Sequence, residues 1–102
     1  MTVFIAHAEA DLAVAEQLQK YLERRGVFAE RESGQMIGRP LRQGDILVAL
    51  WSKDSVFSPF RLQFEKRALD AWADGRLVFV KLDHNFAPVG LRDLPFIDAT
   101  FE

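Results

Sequence analysis

The chain contains no cysteine. That excludes a disulfide framework and any thiolate metal site, and it is compatible with a reducing, cytoplasmic setting. An excess of either charge is missing too: 13 Lys and Arg stand against 15 Asp and Glu, a formal net charge of -2. A partner held by phosphate neutralisation needs a basic face, so nucleic acid is not expected as a partner. Histidine is scarce, and His7 and His84 lie far apart with no further ligand at metal spacing, so no metal site is expected. The longest uncharged apolar run, ILVALW (46–51), is far too short to span a bilayer, and no membrane partner is expected. The opening residues MTVFIAHAEAD lack a basic leader followed by a long apolar run, so no signal peptide is expected.

What is present is enough for one core. Of the 102 residues 49% are apolar, including nine Phe and two Trp, which fits a single folded domain over 1–102. TVFIA (2–6) reads as a buried strand. From Asp11 to Arg25, Leu12, Ala15, Leu18, Tyr21 and Leu22 recur at helical spacing, and Gly26 ends the helix. VFAE (27–30) is a short second strand, and RESGQMIGRPLRQG (31–44) reads as loop with at most one helical turn. DILVALWS (45–52) is the most apolar stretch and predicts the central strand. Ser58-Pro59 predicts a helix start, Ser as N-cap and Pro at the first helical position, with the helix running to about Ala73. RLVFVKL (76–82) is a fourth strand, 83–95 a loop, and FIDA (96–99) a short edge strand.

Strands alternating with helices predict an α/β domain, a flavodoxin-like three-layer sandwich. Its mainly parallel sheet of four to five strands takes the order 2-1-3-4-5, with a shortened second helix. In such sheets the ligand crevice lies beyond the carboxyl ends of the strands, where the strand order reverses. Topology alone therefore places Ala6, His7 and Ala8 beside Trp51 and Ser52.

The candidate chemistry near that crevice is thin. At about 100° per residue, Phe60, Phe64, Ala68, Ala71, Trp72, Leu69 and Leu62 form an apolar arc on the helix. Glu65 falls inside it, where burial makes it a candidate functional carboxylate. The rival reading pairs Glu65 with Arg61, one helical turn earlier, worth only about 0.2–0.5 kcal/mol. His7 follows a buried strand and either meets a ligand or merely caps the strand end. Trp51-Ser52 has no Gly-x-Ser-x-Gly setting and no placed base, so serine hydrolysis is rejected and Ser52 reads as a backbone cap. AHAEAD has no glycine, which excludes a Rossmann phosphate loop. Asp11 in the first helical turn is explained by the helix dipole. Met36 and Ile37, between glycines, mark a contact loop or fold back to cover the core.

In this order the segments resemble a TIR (Toll/interleukin-1 receptor) domain of bacterial type. FIAHAEAD is similar to the family's opening Phe-Ile-Ser-Tyr-Ser with a following Asp, with Ala6 and His7 in the Ser and Tyr places and Asp11 retained. ILVALWS matches its Trp-Ser strand end, SPFRLQFE its aromatic and acidic helix start, and RLVFVKLD with PVGLRDLPFIDAT its close.

The resemblance implies signalling or immune assembly through homotypic contacts with other TIR domains or further copies of the chain. Many bacterial and plant members also cleave NAD at the nicotinamide–ribose bond, with a helical glutamate as catalyst. Carried over, Glu65 is the catalyst, and His7, Ala8, Trp51, Ser52 and Phe60 bind the substrate. NAD is then a substrate, and no resident cofactor is implied. A single carboxylate stabilises the oxocarbenium-like ribose, because nicotinamide departs without protonation.

Two departures stand out. The family glutamate lies four residues after the aromatic, whereas Phe64 is fourth from Phe60 and Glu65 is one further. The segment between the second and third strands is also short; in the family it contributes to assembly and shapes the pocket mouth. The alternative to the enzyme is a non-catalytic adaptor that only binds other TIR domains. A phosphate-receiving domain is disfavoured, because Trp51-Ser52 supplies no acceptor aspartate.

Overall fold

Val3, Phe4, Ile5 and Ala6 are all buried, which a strand achieves only when elements cover both of its faces and both of its edges are paired. The computed structural model describes residues 1–33, 39–84, 87 and 89–99. The expectations placed on Met36 and Ile37 lie outside those residues. Five strands form the sheet: β1 (Thr2–Ala6), β2 (Phe28–Glu32), β3 (Ile46–Trp51), β4 (Leu77–Lys81) and β5 (Ile97–Asp98). All pairings are parallel, in the order β2-β1-β3-β4-β5. This is the flavodoxin-like order that the alternation of elements predicts.

Helix α1 (Leu12–Arg24) follows a 3-10 turn at Glu9–Asp11 and covers one face over β1 and β2. Ala15, Leu18 and Leu22 lock into Val3, Ile5, Ala29 and Leu50 there. Gly26 takes φ +79° just beyond the helix, a conformation that favours glycine and turns the chain into β2. On the other face, α3 (Arg61–Ala73) packs over β3 and β4. Ala68 meets Ala49, Trp51, Phe79 and Leu91, while Ala71 meets Phe4, Ala6 and Leu47.

Several boundaries differ from the sequence reading, each for a local reason. β2 runs two residues further, to Glu32, because Ala6 pairs with Glu32 and the His7 amide continues the ladder to the Glu32 carbonyl at 3.1 Å. A short helix, α2 (Lys53–Val56), fills what read as loop. Ser52 and Ser55 form a reciprocal capping box that starts it. The long helix consequently begins at Arg61 and not at Pro59, although the Ser58 hydroxyl still accepts from the Phe60 amide at 3.1 Å. Between β2 and β3 no helix is present among the described residues, and Leu41 folds back onto the Phe4–Leu47–Ala71 cluster instead. The apolar arc is narrower than its wheel, since Leu62 is 68% and Trp72 43% exposed.

Leu47 is fully buried where β1, β3 and α3 meet. Leu47→Ala should cost about 2–5 kcal/mol through lost burial and the cavity left behind. Leu62→Ala should stay within about 0.5 kcal/mol. Urea unfolding followed by circular dichroism checks both.

Candidate functional site

The loops after β1 and β3 meet at the carboxyl end of the sheet. Ser52 ties them together: its hydroxyl donates to Asp11 Oδ2 at 2.5 Å and accepts from the Asp54 amide at 3.2 Å. Ser52 is therefore a backbone cap, as its position at a strand end suggested. Asp11 stands at the N-cap of α1 but makes no side-chain cap bond; its carboxylate serves Ser52. Burial pushes the Asp11 carboxyl up from its ordinary value, with the Ser52 hydrogen bond opposing that rise.

His7 is 4% exposed. Its Nδ1 lies 2.7 Å from the Ala8 carbonyl, and a carbonyl only accepts. Nδ1 must carry the proton, so the neutral ring offers Nε2 as an acceptor. Facing His7 and Ala8 across the crevice are Phe60, Arg61, Phe64 and Arg67 of the α3 end, with Ser55 and Ser58 between. The space between them measures about 30 Å³, room for roughly two water molecules.

The structure distributes the sequence candidates unevenly. His7, Ala8 and Phe60 line the crevice together. Trp51 and Ser52 stand behind it, 1% and 3% exposed, and Trp51 packs on Phe64 at a ring separation of 5.5 Å. Glu65 does not line it. One residue past Phe64 on the helix, it turns instead towards the 3-10 turn Val89–Leu91. A Cβ added at Gly90 would lie only 2.6 Å from Glu65 Oε1. Nor do Glu65 and Arg61 form an ion pair among the described contacts; Arg61 Nη1 reaches the Val56 carbonyl at 3.4 Å.

The polar groups that sequence reasoning missed lie at the other end of the crevice. Arg67 donates to both Glu32 oxygens, at 2.9 and 3.2 Å, and to the Arg39 carbonyl at 3.0 Å. Arg39 donates to Asp45 at 2.6 Å, and the guanidinium groups of Arg39 and Arg67 both lie over the Phe4 ring, at 4.9 and 5.5 Å. Asp45 also accepts from the Thr2 and Arg42 amides, at 3.0 and 2.8 Å. These contacts, the Arg39 bond above all, hold the Asp45 carboxyl far below the usual carboxylate range. No sequence pattern marks a pair 35 residues apart such as Arg67 and Glu32. No cluster of potential metal ligands occurs among the described residues.

A profile of the TIR domain family matches residues 3–102. The chain belongs to the TIR domain family. The match spans essentially the whole sequence and agrees with the flavodoxin-like strand order described above. No curated protein and no solved structure matches the chain. Within this TIR domain, no helix among the described residues is long and apolar enough to cross a membrane.

Three outcomes follow for this region. Arg67→Ala removes two charge-assisted hydrogen bonds to the buried Glu32 and should cost about 1.5–3 kcal/mol in urea unfolding. Gly90→Ala should displace the Glu65 side chain, seen as shifted Glu65 carboxyl resonances in NMR spectra, with the fold retained. A carboxyl held low in the folded state adds stability above its unfolded value of about 4, and that stability is lost as pH falls below it. Asp45→Asn should therefore lower the melting temperature at pH 7 and flatten its decline below about pH 4, read by thermal melts across pH.

Proposed function

We propose that this TIR domain acts in signalling by binding other TIR domains, copies of itself included. Family membership supports homotypic contact in general. The observation that carries it here is the corner between α2 and α3. Phe57, directly after α2, is 83% exposed, and Leu62, in the first turn of α3, is 68% exposed. Two large apolar side chains left in water within one turn-and-helix segment offer a candidate contact surface. Covering them with a second domain removes apolar area from water at about 25 cal/mol per Å².

A second reading is NAD cleavage at the nicotinamide–ribose bond, with Glu65 as catalyst and His7, Ala8, Trp51, Ser52 and Phe60 as the substrate site. What favours it is His7, a ring with one nitrogen left to accept, which lines the crevice together with Phe60. The small cavity and the turn of Glu65 towards Gly90 require that the crevice widen, and α3 shift, when the domain assembles. Without that change, the binding module is the better supported reading.

Light scattering over rising protein concentration tests the first reading. Mass should grow with concentration, and Phe57→Glu with Leu62→Glu should abolish the growth; growth unchanged in the double variant would sink this surface. Incubation with NAD at the highest concentrations, following nicotinamide release, tests the second. Release that disappears in Glu65→Ala would establish the enzyme, whereas no release from assembled protein leaves only the binding module.

A further inference from the structure

Among the described residues the sheet ends at β2, and an end strand offers backbone groups to any strand that reaches it. In the parallel pairing with β1, the His7 amide bonds to the Glu32 carbonyl. Alternation along the strand then turns the backbone groups of Phe28, Glu30 and Glu32 towards β1. Those of Ala29 and Arg31 point outwards. At the other border β5 is only Ile97–Asp98, a very short edge that offers little to pair with.

Side chains stand over the outward row of β2. Gln19, on α1, donates from Nε2 to the Ala29 carbonyl at 3.0 Å. Arg31 Nε donates to Gln19 Oε1 at 2.7 Å, and Arg31 Nη1 lies 3.6 Å from Glu16 Oε1. The Gln19 amide is held in one orientation from both ends, because a carbonyl only accepts and a guanidinium only donates. Gln19 thus occupies an acceptor that an incoming strand needs, along the line where that strand would lie.

The strand best matched to this edge is β2 of a second copy. Turned antiparallel about a twofold axis at Glu30, each Ala29 faces the second copy's Arg31, and each such pair exchanges both N–H···O bonds. Half of those bonds use the Ala29 carbonyls that Gln19 covers. The same arrangement sets the two Glu30 side chains directly opposite each other, with Cα atoms about 4.5 Å apart. Glu30 is exposed, and like charges so placed repel.

We infer that Gln19, Arg31 and Glu30 guard this edge of the sheet against a second copy. Gln19, held by Arg31, blocks the acceptor, and Glu30 makes the twofold register repulsive. β2 is a strand-pairing site kept shut, and association between folded domains is left to side-chain surfaces. The guard is separate from the α2–α3 corner and does not depend on it.

Because the chain has no cysteine, one introduced thiol reports a symmetric contact without background. Glu30→Cys removes the repelling charge and sets two thiols within disulfide reach, about 4.4–6.8 Å between Cα atoms, if the edges pair. The full chain is mixed with oxidised glutathione, and covalent dimer is followed on non-reducing gels. Gln19→Ala combined with Glu30→Cys should cross-link about tenfold faster than Glu30→Cys alone, through one uncovered carbonyl on each copy. Gln19→Glu, which cannot donate to Ala29, should also speed the reaction, each variant being checked for folding by circular dichroism. Phe28→Cys with Gln19→Ala should stay slow, since the two positions lie about 14 Å apart in this register. Phe57→Glu should leave the rate unchanged. Equal rates with and without the Gln19 substitutions overturn the inference. So does cross-linking of the Phe28→Cys variant as fast as that of Glu30→Cys. A rate that falls with Phe57→Glu overturns it too, by assigning the contact to the other surface.

Discussion

The contact on which the rest of this domain turns is the double hydrogen bond from Arg67 to Glu32. A helix laid on a sheet through small residues such as Ala68 and Ala71 is free to rotate by tens of degrees with little loss of packing. A planar guanidinium gripping a carboxylate through two parallel bonds is not. With its third bond to the Arg39 carbonyl, Arg67 fixes α3 against β2 and against the chain entering β3. That rotation decides which side chains see the crevice. Phe60 and Phe64 close over His7, and Glu65, one step further round, is left facing Gly90.

The same reasoning explains the poverty of the crevice. Among the described residues its lining carboxylate, Glu32, is already committed to Arg67, and Asp11 nearby is committed to Ser52. What remains for a visitor is the His7 acceptor, the serine hydroxyls, the Arg61 guanidinium and aromatic surface. Among the described residues the crevice offers no uncommitted carboxylate, which favours association over catalysis as the proposed role.

Much of the fold was legible in the residues. Apolar runs at 2–6, 46–51 and 77–81 are strands because no half-exposed element tolerates such sequences, and right-handed connections then leave few orders. Legibility failed where two local signals competed. Ser58-Pro59 is a good helix start, but Ser52 and Ser55 offered an earlier capping box, which took the chain first and delayed the long helix to Arg61. For the site, topology placed Ala6, His7 and Ala8 beside Trp51 and Ser52, which follows from β1 lying next to β3 in the sheet. It could not place Glu65, because a helical wheel gives relative angles only; the absolute angle comes from Arg67, whose partner is distant in sequence.

The bond from the Thr2 amide to Asp45 spans 43 residues and seals the entry of β3 beside β1. No two strands of this sheet are joined by a hairpin, so every pairing must wait for a crossover to close. Loop closure grows only as the logarithm of loop length, yet a chain with no local strand contacts must settle several such closures before any packing rewards them. Folding should therefore be slow for a domain of this size. Its early stages should rest on α1, which packs on β2 and returns that strand to β1 through Gly26, with the arrival of Asp45 at Thr2 as the step that commits the sheet.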